Sequence, residues 1–127
     1  LLSIDIDGND YWIWSKLSAY RPRVVVIEYN GNVPPDESRV IEYDRDFRWS
    51  GSDYYGASLL ALKKLGKAKG YTLIGCESSG TNAFFVEDSL AERYFVKQDI
   101  TRLFRQPIYG KHRYGHQPDA SRKMKLI

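Results

Sequence analysis

Apolar residues along the chain fall into two kinds of pattern. Leu1–Ile6 and Val24–Ile27 are β-branched apolar runs bounded by Gly, Asn or Pro. Runs without strict alternation suit strands buried on both faces, as in a parallel sheet. Between them, Asn9–Tyr20 follows a helical period, with Ile13, Trp14 and Leu17 on one stripe. Asn9 is placed as the N-cap, and Asp10 complements the positive end of the helix dipole. Arg21-Pro22 stops this helix. The unit so predicted is strand–helix–strand, whose parallel crossover takes the right-handed form.

The pattern then breaks. Asn30–Ser52 has no period, contains Pro34-Pro35 with Tyr43 and Trp49, and is long for a loop, which predicts a lid or binding segment. Asp53–Lys69 predicts a second amphipathic helix: Tyr55, Leu59, Leu62 and Leu65 face inward, Lys63, Lys64, Lys67 and Lys69 face water, and Gly70 caps the end. Tyr71–Cys76 and Asn82–Glu87 predict two strands joined by the turn Glu77–Thr81. A connection this short forces them antiparallel. Leu90–Phe104 adds a helix, and the residues past Pro107 read as a poorly packed tail. The predicted fold class is therefore α/β: parallel strands finished by an antiparallel hairpin, with helices on the faces.

Composition narrows the class without naming a function. A chain of 127 residues, 43% apolar, 14% aromatic and with mean hydropathy −0.50, supports one domain with a single core. No run approaches the about 18 apolar residues that span a bilayer, and no signal peptide is visible, so a cytoplasmic location is expected. The single cysteine, Cys76, cannot form an internal disulfide. Leu90–Ile127 carries nine Lys and Arg against three Asp and Glu, whereas the remainder is net acidic. A basic segment steers toward anionic partners or is simply solvated. Without an RNP, KH or zinc-finger pattern, nucleic acid is not expected as a partner.

Candidate chemistry sits where the two apolar runs end. Asp5 and Asp7 are two apart and so share a face of a strand, Asp10 follows, and Glu28 and Asn30 share the alternation after the next run. Adjacent parallel strands are about 4.8 Å apart, which brings these groups to one carboxyl edge of the sheet. Asp5, Asp7, Glu28 and Asn30 offer only oxygen ligands, a set suited to Mg²⁺. Three readings stand side by side: a metal site, a base or positioning site for a substrate, and purely structural carboxylates, with Asp7-Gly8 a turn and Asp10 supporting the helix. Elsewhere, Tyr54–Ser58 would open the second helix and present N–H groups, with Tyr55 in the core. Ser78, Ser79, Thr81 and Asn82 are explained by turn chemistry. Cys76 reads as a buried inert thiol, and His112 and His116 as tail residues.

Three blocks, LLSIDIDGNDYWIW, PRVVVIEYN and SDYYGASLLALKKLGKAKGYTLIGCESSGTNAFFV, occur in this order. Together they resemble the C-terminal half of FkbM-type S-adenosylmethionine-dependent methyltransferases. The likeness covers residues 1–88; residues 89–127 form a basic C-terminal extension. It implies a partial Rossmann-like methyltransferase sheet and methyl transfer to a small-molecule or sugar hydroxyl. Asp7 or Glu28 would be base or ligand, with Asn30 orienting the acceptor and Asp10, Trp49 and Tyr54 on the substrate side. The acid followed by an acid–amide pair is also similar to metal-dependent catechol-type O-methyltransferases. The family's glycine-rich cofactor loop and ribose-holding acid are not in this sequence, so the S-adenosylmethionine site is expected largely outside this chain. Because the chain opens within a strand, it is expected to be part of a larger fold, with another chain or a preceding segment covering the open sheet edge. Two other functions fit the same residues: a noncatalytic methyltransferase-like binding module, and a metal-dependent nuclease.

Overall fold

The structure, a computed structural model, describes residues 1–110 and 114–127. Its elements are β1 (Leu2–Ile4), α1 (Asp10–Lys16), β2 (Val24–Glu28), β3 (Arg39–Val40), α2 (Leu59–Lys69), β4 (Tyr71–Cys76), β5 (Asn82–Glu87), α3 (Asp88–Tyr94), α4 (Ile100–Leu103) and β6 (Lys125–Leu126). A four-stranded mixed sheet runs in the order β1-β2-β5-β4. Strands β1 and β2 are parallel, joined through α1, whereas β2–β5 and β5–β4 are antiparallel. The parallel pair and the closing hairpin are thus as the sequence predicts. β1 forms one edge of the sheet. Among the described residues no helix is long and apolar enough to cross a membrane.

Burial alternates along β2, and here the structure departs from the expected two-sided burial. Val25 and Ile27 are fully buried, opposite Phe85 and Ala83 of β5, while Val24 and Val26 are half-buried. The covered face packs on Trp14 of α1 and on Leu59 and Leu62 of α2. Trp14 and Phe85 stack with centroids 4.9 Å apart. A Cβ at Gly66 would stand 2.9 Å from the Phe85 ring, so α2 approaches the sheet at a residue without a side chain. The register that buries Val25 and Ile27 places Glu28 on the opposite face.

Both principal helices are shorter than their periodic patterns. α1 ends at Leu17, whose carbonyl accepts a hydrogen bond from the Lys69 Nζ at 2.8 Å. α2 begins only at Leu59, capped by the Ser58 side chain accepting from the Ala61 N–H. Residues 53–57 stay non-helical because tertiary contacts claim their backbone. Asn30 Nδ2 donates to the carbonyls of Asp53 and Tyr55, Val40 bridges Ala57, and Gly56 adopts φ +55°. No helix N-terminus lies at Tyr54 or Tyr55. The expected Leu90–Phe104 helix is two short helices, α3 and α4, the second capped by Asp99.

The C-terminal segment is tied to the fold by backbone pairing, although its described side chains stay largely exposed, as expected of a poorly packed tail. β6 pairs antiparallel with β3, and the Ile127 N–H donates to Ser38 O at 3.0 Å. Asp53 N–H donates to Gln117 O, and Asp119 N–H donates to Asp53 Oδ1, both at 2.8 Å. Loop 30–58 and the chain end therefore hold each other, an arrangement that no local period could announce. His112 lies outside the described residues; His116 packs between Trp49 and Tyr109, with ring centroids at 4.7 and 5.2 Å.

Candidate functional site

The carboxyl rim of the β1–β2 pair gathers the acids. In the parallel register Ser3 lies beside Val26 and Ile4 beside Ile27, so one further step sets Asp5 beside Glu28. The chain then turns: Asp7 takes φ +57°, a left-handed conformation that costs a non-glycine residue about 1 kcal/mol or more. The turn is held by Asp10, which is fully buried. Its Oδ1 accepts from Ile6 N–H and its Oδ2 from Gly8 N–H, each at 3.0 Å. A Cβ at Gly8 would run into the Phe47 ring, so a larger residue there needs that ring to move. This turn carries the Asp7 carboxylate back over the rim. One carboxylate oxygen each from Asp5, Asp7 and Glu28 lies within 4.8 Å of the others. The outcome matches the expected juxtaposition, although for Asp7 the cause is the turn rather than strand alternation.

The three acids are not equivalent. Asp5 and Asp7 are exposed, whereas Glu28 is 9% exposed and its Oε2 is buried without a hydrogen-bond partner among the described residues. Burial, reinforced by the charges of Asp10, Asp5 and Asp7, pushes the Glu28 carboxyl up to about 8. Burial also raises Asp10, opposed by the two N–H groups it accepts from. Among the described residues, no ion pair includes Asp5, Asp7 or Glu28. The site is therefore an acidic cluster that gains from a proton or a cation.

The other expected site residues are placed differently. Asn30 is fully buried; its Nδ2 holds the Asp53 and Tyr55 carbonyls, and its Oδ1 accepts from the Asn32 N–H and Nδ2 at 3.1 and 2.8 Å. Both ends of the amide are occupied by the loop, leaving none to hold a cation or orient an acceptor. Asp10 is likewise committed to the turn and has no surface to offer a substrate. Tyr54 is buried, its ring lying under the Arg122 guanidinium at 4.6 Å and its hydroxyl accepting from the Glu42 N–H. It lines a cavity of about 300 Å³ together with Asn32, Arg39 and Met124. Trp49 is half-exposed, donates from Nε1 to Ser52 O, and packs on Tyr55 and His116.

Sequence reading missed a pair of tyrosines beside the acids. Tyr55 and Tyr109 share a hydroxyl–hydroxyl hydrogen bond of 2.7 Å. Burial raises both phenols, and the charge of Glu28 adds to both. No signal in the chain joins residues this far apart; only Tyr55 carried a hint, as an inward residue of the helix that does not extend to it. Cys76 is half-buried rather than fully buried, and burial pushes its thiol up to about 12. The polar turn is also self-satisfied, with Ser79 N–H donating to Glu77 and the Ser79 and Thr81 hydroxyls bonded together. Comparison with protein-family models, with curated proteins and with solved structures finds no match to this chain.

Proposed function

We propose that this chain is the acceptor side of an S-adenosylmethionine-dependent O-methyltransferase of the FkbM type, built on part of a Rossmann-like sheet. The reading is carried by one observation: Asp5, Asp7 and the buried Glu28 converge at the carboxyl rim of a parallel strand pair. Open α/β sheets bind their ligands at that rim. The strand–helix–strand unit closed by an antiparallel hairpin, and the three sequence blocks that accompany it, support the same reading.

Methyl transfer asks a protein to hold the acceptor oxygen in line and to accept its proton. The acids provide oxygens that can accept a hydrogen bond from a small-molecule or sugar hydroxyl, and a carboxylate to take the proton. The residues present do not fit the donor. The turn after β1 is acidic rather than glycine-rich, and the Phe47 ring fills the space beside Gly8. Donor binding is therefore assigned to residues outside this chain, and the chain's own part is confined to the acceptor.

The test is transfer of a labelled methyl group to a panel of sugar and small-molecule hydroxyls, using the protein together with any coding sequence that precedes Leu1. Labelled product that falls at least tenfold in Asp7→Asn and in Glu28→Gln is expected. Donor binding without any labelled product across the panel would overturn the assignment. The lack of a donor cradle also favours a second reading, a noncatalytic module that keeps the rim as a binding site; failure of the preceding-sequence protein to bind donor at all would select it.

A further inference from the structure

We infer that Asp5, Asp7 and Glu28 form a binding site for a hard divalent cation of the Mg²⁺ class. This goes beyond the methyl-transfer reading, because cation binding needs neither donor nor acceptor and stands or falls alone.

Two independent observations meet at the same place. One carboxylate oxygen from each acid lies within 4.8 Å of the other two. Oxygens bound at about 2.1 to 2.4 Å around one ion are about 3 Å apart when adjacent and up to about 4.8 Å apart when opposite, so the cluster is of the size that one cation draws together. Separately, Glu28 Oε2 is buried and has no hydrogen-bond donor among the described residues. A buried carboxylate oxygen normally has a partner, because an unmet one costs about 1–3 kcal/mol or more. The two acids grouped with it are also carboxylates, which cannot donate when ionised. A cation is the partner that satisfies all three.

The ligand chemistry sets the class. All three ligands are hard oxygens, and among the described residues no cysteine or histidine joins the group. That set favours Mg²⁺, Mn²⁺ or Ca²⁺ over Zn²⁺ or copper. Asp5 and Asp7 are exposed, so an ion arrives from solvent and keeps part of its water shell, as Mg²⁺ requires. Asp10 is the positioning residue: by holding Ile6 and Gly8 it sets the turn that carries Asp7 to the site. Asn30 is not a ligand, its amide being committed to loop 30–58.

The whole chain is titrated with Mn²⁺ alone, read by the loss of its free-ion electron paramagnetic resonance signal, with Mg²⁺ and Zn²⁺ as competitors. One ion per chain is expected, displaced by Mg²⁺, and weakened at least tenfold in Asp7→Asn and in Glu28→Gln. Glu92→Gln, exposed and remote from the rim, serves as the control and binds as the parent does. Circular dichroism confirms that each variant is folded. Asp7 is exposed and its replacement leaves the core untouched, so a folded Asp7→Asn is expected even if Glu28→Gln fails. Absence of saturable Mn²⁺ binding, binding unaltered in a folded Asp7→Asn, or a site taken by Zn²⁺ and not by Mg²⁺, would each overturn the inference.

Discussion

The Tyr55 and Tyr109 hydroxyls meet at 2.7 Å, joining the loop before α2 to the C-terminal segment beside the acidic rim. Tyr109 also reaches the Gly80 carbonyl, and Tyr55 receives a hydrogen bond from Asn32 Nδ2. Phenylalanine at position 109 would remove the shared bond while keeping the ring against His116. Tyr109→Phe is expected to cost about 1 kcal/mol, the net worth of one partly buried hydrogen bond, measured by urea unfolding. A variant as stable as the parent would show that the pair does not fasten the segment.

Glu28 gives the ion-free protein a definite pH dependence. Its carboxyl is raised in the folded state to about 8 from an ordinary value near 4.5, so the folded protein holds this proton more tightly than the unfolded chain does. Stability from this group is full below pH 4.5, declines as the pH rises through that value, and reaches its floor above pH 8. Urea midpoints taken with a chelator are expected to fall between pH 5 and 8.5, by up to a few kcal/mol in stability. Glu28→Gln should flatten that slope. An equal slope in the variant would place the titration elsewhere.

Asp119 shifts the other way. The Arg122 guanidinium, the Ser52 hydroxyl and the backbone N–H groups of Ser121 and Arg122 hold its carboxyl well below the usual range. Its contribution is present above the ordinary carboxylate value and is lost as the pH falls toward its depressed folded value. Because the Asp119 carboxylate also accepts from the Ser52 hydroxyl of loop 30–58, its loss should free the chain end first. Asp119→Ala is expected to speed proteolytic nicking past residue 107 at neutral pH while the far-ultraviolet circular dichroism stays that of the parent.

Gly8 couples the acidic turn to loop 30–58 through Phe47. Its substitution by alanine drives a methyl into the Phe47 ring. Overpacking of this kind costs about 1–3 kcal/mol. The cost should shrink in a Phe47→Leu background, a non-additivity that a double-mutant cycle in urea measures directly. Strict additivity would mean that the two residues do not press on each other.

Some of this molecule was legible from local pattern. The four strands of the main sheet, the antiparallel hairpin across Glu77–Thr81 and the cap at Gly70 follow from periods and turn residues close in the chain. Asp5 and Glu28 were legible as rim residues because strand ends fall where apolar runs stop. What failed did so where distant groups compete for the backbone. Residues 53–57 have a helical period, yet Asn30 claims their carbonyls. Asn30 reads as a ligand by spacing, yet the loop uses both ends of its amide.

The sequence by itself determined the four strands of the main sheet and the middle parts of α1 and α2, and that carboxylates end two neighbouring strands, since these depend on residues a few positions apart. Tertiary structure alone decided that Asp7 swings back on a left-handed turn held by Asp10, that Glu28 is buried with an oxygen unmet, and that the basic chain end is tied to loop 30–58. Burial and hydrogen-bond competition are properties of what surrounds a residue in space, and spacing along the chain does not encode that neighbourhood.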